Sequence, residues 1–156
     1  MSLKLYIAYG TGADQVVALR LQALAAVNGL GVYVPPAHTR DVSSPSLDPQ
    51  SATNLHDANV VLGVITTAIS EACRQELNTA KTLGKTTIVI AEPAQASRLE
   101  PYFPGSVVAI DPADPARAEK GIVWLLKKAE MEQDSKKALI ALGTLALGLL
   151  LLAPQD

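Results

Sequence analysis

"NVVLGVITTAISEACRQELNTAKTLGKTTIVI", residues 59–90, decides the fold. Residues 59–66 form a continuous apolar run, the pattern of a strand buried on both faces. Past Ser70 the period changes. Cys73, Leu77, Ala80 and Leu83 recur at helical spacing, and Ser70 ahead of them is a good N-cap residue. Gly84 closes that helix, and "TTIVI" at 86–90 reads as a second strand. Two buried strands joined through a helix imply a parallel pair with a right-handed crossover.

The same alternation extends in both directions. "KLYIAYG" (4–10) is a strand ending at Gly. "ADQVVALRLQALAAVNGLG" is a helix that stops at Asn28-Gly29. "GVYV" (31–34) is a strand halted by Pro35-Pro36. Residues 35–50 are rich in Pro and Ser and too long for a routine connection, as functional loops tend to be. "SATNLHDA" (51–58) is a short helix, and "PAQASRLEPYF" holds a short helix at most. "SVVAI" (106–110) is a strand. Residues 114–131 form an amphipathic helix, with Pro115 in its first turn and Ile122, Val123, Leu125, Leu126 and Ala129 facing inward; Trp124 also reads as core. Five strands alternating with helices predict a small doubly wound α/β domain, with a parallel sheet in the order 2-1-3-4-5.

With 156 residues the chain has the length of one domain and can bury a core without disulfides. Thirteen basic against 15 acidic residues give a net charge of -2, with no electrostatic footprint for nucleic acid. One cysteine excludes an internal disulfide and suits a reducing cytoplasm. No Cys/His cluster has metal-ligand spacing, and "MSLKLYIAYG" does not read as a secretory signal. The C-terminus differs. "ALIALGTLALGLLLLA" (138–153) is 16 residues without a charge. As a helix it covers about 24 Å of a hydrocarbon core of about 30 Å. It is either a buried or oligomerisation helix or a short membrane anchor. Lys127, Lys128, Lys136 and Lys137 before it favour a cytoplasmic position for the rest of the chain. The expected division is therefore an α/β domain over 1–132 and an apolar helix over 133–156.

In doubly wound folds ligands bind outside the carboxyl ends of the strands. That edge carries Tyr9, Gly10, Thr11 and Gly12, the loop from Pro35, Thr66 to Ser70, and Ala91-Glu92. The Gly10-Thr11-Gly12 turn lets backbone come close to a phosphate, although Gln15 stands where a dinucleotide fingerprint has its third Gly. His38 and Arg40 are the basic side chains of the long loop. The sharpest candidate is Glu76. It borders the apolar stripe of its helix, and no basic residue lies three or four positions away; Glu71, by contrast, has Arg74 at i+3. Cys73 reads as a small core residue.

Two segments resemble the Toll/interleukin-1 receptor (TIR) domain. "YIAYGTGAD" resembles its first box, a strand ending in an aromatic residue with an Asp shortly after, here Tyr9 and Asp14. "SEACRQELNTAKTLGKTTIVI" resembles the segment in which Ser, Trp, Cys and Glu-Leu open a helix. Ser70, Cys73, Glu76 and Leu77 match that spacing, while Ala72 replaces the Trp. The likeness covers roughly residues 3–130. It implies Glu76 as the catalytic residue of an NAD-cleaving enzyme that releases nicotinamide. Tyr9, Gly10, Thr11, Gly12, Arg40, Thr66 and Ser70, from the carboxyl edge and the long loop, are then the expected substrate contacts. NAD is then substrate, and no cofactor or metal is required. The resemblance also implies homotypic assembly and places residues 35–50 at the family's BB loop, whose Gly-centred pattern they lack. Such an enzyme is expected to serve in defence or signalling.

A carboxylate suits this chemistry, because it stabilises the positive charge that builds on the ribose as an N-glycosidic bond breaks. Two other functions compete. Nucleoside 2-deoxyribosyltransferases have a similar "YIA"-type first strand and a helix Glu followed by "GK" and a strand, but expect Gly-Thr where this chain has Ala72 and Cys73. A non-catalytic scaffold for TIR partners would show an occluded site around Glu76.

Overall fold

The structure is a computed structural model. It describes residues 3–10, 13–36, 48–66, 69–104, 106–109, 117, 119–123 and 126. The elements run β1 (Lys4–Tyr9), α1 (Ala13–Val27), β2 (Gly31–Tyr33), α2 (Pro49–Asp57), β3 (Val60–Ile65), α3 (Glu71–Thr82), β4 (Thr86–Ala91), α4 (Pro93–Leu99) and β5 (Val107–Ala109). Residues 117, 119–123 and 126 are helical too. The five strands form one sheet in the order β2-β1-β3-β4-β5. Every pairing is parallel. This is the doubly wound α/β fold and strand order expected from the alternation.

Side chains leave a strand on alternate faces, so each inner strand feeds two cores. Leu5, Ile7 and Tyr9 of β1 join Leu62 and Val64 of β3, Ile88 and Ile90 of β4, and Val17, Ala18 and Leu21 of α1. Ile122, Val123 and Leu126 complete that core. On the other face Tyr6 and Ala8 join Val61, Ile65 and Val89 against Leu55, Cys73, Leu77, Ala80 and Leu99 of the helices. One face of the sheet is thus covered by α1 and residues 122, 123 and 126, the other by α2, α3 and α4.

The helix ends follow local rules. The Ser70 hydroxyl accepts from the Cys73 N–H at 3.2 Å and caps α3. Gly84, at φ 71°, closes it: the Gly84 N–H donates to Lys81 O and the Lys85 N–H to Ala80 O. Gly29, at φ 77°, ends α1 with the same pair of bonds to Ala26 and Ala25. This left-handed closure suits Gly, which has no Cβ to clash.

Several boundaries differ from the sequence reading. The helix expected at 51–58 begins at Pro49, because Asp48 caps it by accepting from the Ser51 N–H at 3.2 Å and Pro49 fits the first helical position. The loop expected over 35–50 is therefore shorter. β2 ends at Tyr33 rather than at residue 34. The last strand is Val107–Ala109, and residue 110 lies outside the described residues. Trp124, Leu125, Ala129, the 132/133 division and the apolar run 138–153 also lie outside them. Among the described residues no helix is long and apolar enough to cross a membrane.

Gly63 in β3 lets α3 approach the sheet closely. A Cβ there would stand 2.9 Å from Leu77 Cδ2, and Leu77 is fully buried with no room to retreat. Gly63→Ala is expected to cost about 1–3 kcal/mol by overpacking. Leu77→Val should recover part of that loss in the double variant; additive denaturant midpoints would show that the contact does not matter.

Candidate functional site

α3 begins beside the carboxyl end of β1 and runs back along the sheet. Its side chains at 73, 77 and 80 point into the core because they share one helical face. Glu76 lies beside that stripe and is drawn in with it, to 0% exposure. It stands about 9 Å along the helix from Ser70, by the helical rise. The carboxylate thus lies in the layer between the sheet and α3, below the carboxyl edge.

Tyr6 meets it there. Tyr6 is fully buried at mid-strand in β1, and its hydroxyl donates to Glu76 Oε2. The Tyr6 ring packs on Tyr33 of β2, with centroids 5.4 Å apart and planes tilted by 37°. The Tyr33 hydroxyl lies 3.0 Å from Ser51 Oγ in α2, and the Ser51 N–H is held by Asp48. Phenols and short polar groups therefore link the carboxylate, by bonds and ring contact, to the start of α2. Glu71, the expected contrast, is an exposed residue in a two-pronged pair with Arg74. That hydrogen bond holds its carboxyl below the usual carboxylate range.

A second polar centre closes the carboxyl edge. Asp14, in the first turn of α1, is 3% exposed. Its Oδ1 accepts from the Thr66 N–H at 2.9 Å and from the Thr66 hydroxyl. Thr66 follows β3 and α1 follows β1, so the clasp spans the point where the strand order reverses. Gly10 lies directly beneath it: a Cβ there would fall 2.7 Å from Asp14 Oδ2 and 3.7 Å from Ser70 Cβ.

The expected site residues therefore divide. Gly10, Thr66 and Ser70 gather at the carboxyl edge. There Thr66 is bonded by Asp14, and Ser70 caps α3. Tyr9 is buried in the core, and its hydroxyl donates to Pro35 O at 2.7 Å, tying the start of the long loop to β1. Glu76 lies deeper. Thr11, Gly12, His38 and Arg40 lie outside the described residues. Two residues with central positions were not in the expected set. Asp14 enters the sequence reading only through the first box; its place in the first turn of a helix is its signal. Tyr6 carried none, since an aromatic residue in a buried strand reads as core. Cys73 is buried, as expected. Among the described residues no group of three or more His, Cys, Asp or Glu could hold a metal ion.

No protein-family model matches the chain, and no curated protein does. Among solved structures it is similar to the TIR domains in the structure of the activated Roq1 resistosome, which directly recognises the pathogen effector XopQ. The two share 14% identity, with 97% of this chain and 85% of that chain covered and a TM-score of 0.47. Likeness at that level transfers no function.

Proposed function

We propose that the chain is an NAD glycohydrolase with Glu76 as its catalytic carboxylate. The observation that carries this reading is a buried carboxylate at the motif position, gripped by a phenol from the inner strand β1. Burying an ionisable group is costly, and such groups are concentrated at functional sites. In the reaction the bond between the nicotinamide nitrogen and ribose C1′ breaks. Its electron pair goes to the nicotinamide ring, which loses its positive charge. Water adds to C1′ and releases one proton. Glu76 balances the charge on the ribose while that bond is broken. The Gly10–Gly12 turn and Arg40 belong to this proposal as contacts for the diphosphate, and Tyr9, Thr66 and Ser70 as the wall near the ribose. Turnover requires the layer above Glu76 to open, since the side chain has no exposed surface in the free chain. Substrates of the deoxyribosyltransferase type would present a bond of the same N-glycosidic class, with a neutral base that must take up a proton as it leaves.

Assembly is part of the same reading. α1 shows Val16, Leu19 and Val27 to solvent, and the run 138–153 is apolar throughout. Apolar surface of this kind favours contact with a second copy or with lipid. Concentrated protein, or protein on liposomes, is incubated with NAD and separately with deoxynucleosides, and the products are followed. Nicotinamide and ADP-ribose from NAD are expected. Cleavage of deoxynucleosides alone would reassign the substrate. Deleting the residues after Ser135 is expected to leave a folded domain with weaker NAD cleavage at equal concentration. A deletion that stays fully active would make the tail irrelevant to assembly.

A second reading, a non-catalytic scaffold, is favoured by one observation: Glu76 is sealed and bonded to Tyr6. Absence of any cleavage under self-associating conditions would decide for it.

A further inference from the structure

Tyr6 sits in the middle of the central strand pair, where the backbone is held by ladders on both sides: it pairs with Tyr33 of β2 and with Val61 of β3. It is fully buried, and Tyr33 braces its ring. Its hydroxyl donates to Glu76, a residue of α3 that lies 70 positions away in sequence. We infer that Tyr6 is the positioning residue for Glu76, fixing the orientation of the carboxylate in the reaction proposed above, on which this inference rests. The phenol takes Oε2 and so sets the plane of the carboxylate and the direction of Oε1. Tyr6 itself touches no substrate. Its contribution is to prevent the flexible Glu side chain from sampling orientations in which neither oxygen faces the breaking bond.

The test uses the full chain with NAD as the probe. Tyr6→Phe keeps the ring and its packing on Tyr33 and removes only the hydroxyl. Its kcat for nicotinamide release is expected to fall by about 10- to 100-fold with KM little changed. Tyr33→Leu removes the brace and leaves the hydroxyl, and should give a smaller loss of the same kind. It keeps the inference testable if Tyr6→Phe does not fold. In proton NMR, the wild type should show a slowly exchanging downfield hydroxyl signal that vanishes in Tyr6→Phe and moves in Glu76→Gln. Unimpaired kcat in both tyrosine variants, a loss confined to KM, or no such signal would overturn the inference while the NAD reading stands. A wild type that cleaves no NAD removes both.

Discussion

Glu76→Gln should lose nicotinamide release from NAD by roughly 10²–10⁴-fold, because the variant keeps the shape of the side chain and discards the charge. The amide oxygen can still accept from Tyr6, so the fold is expected to survive with little change in its melting midpoint. Glu76→Ala is harsher. It leaves the buried Tyr6 hydroxyl without its carboxylate, at a cost of about 1–3 kcal/mol, in addition to losing activity. The difference between the two variants separates catalysis from stability. Glu71→Ala is the control: its carboxylate is exposed and pairs with Arg74 on the surface, so activity should remain. Wild-type turnover in Glu76→Gln would remove the residue from the chemistry.

The second large effect is on stability. Asp14→Ala is expected to destabilise the fold by about 2–5 kcal/mol, since it strips the acceptor from both the amide and the hydroxyl of Thr66 in a site closed to water. For a chain of this size that corresponds to a fall of roughly 5–15 °C in melting midpoint. Asp14→Asn retains one acceptor oxygen and should fall by less. A denaturant titration measures this directly, with an unchanged slope marking a true stability change. A midpoint for Asp14→Ala within about 2 °C of wild type would mean that the clasp holds nothing together.

The fold was legible because its determinants are local. The apolar run 60–65 could only be a strand covered on both faces, Ser70 and Gly84 bracket α3, and Gly29 ends α1. Strand order followed from alternation and the handedness of crossovers. The start of α2 is not legible from composition, because Asp48 and Pro49 sit in a Pro/Ser-rich stretch that looks like loop, although each has a role at a helix start. The candidate site was legible only in part. Glu76 was conspicuous for lacking a basic neighbour on its own helix. What meets it is a tyrosine from another element, and no local pattern announces a contact over 70 positions. The Asp14–Thr66 clasp has the same character, joining residues 52 positions apart. Pairings of this kind belong to tertiary structure and become visible only when the strands are placed side by side.

The two outermost strands of the sheet, β2 and β5, are three residues each. Among the described residues each offers only a short row of backbone donors and acceptors to template a strand from another molecule. Copies of this chain would therefore find it hard to join by continuing one sheet through the next. An array of copies would instead be tiled through helices and loops. In such an array, spacing and pitch would be set by side chains that single substitutions can alter, rather than by the roughly 4.8 Å repeat that backbone pairing imposes.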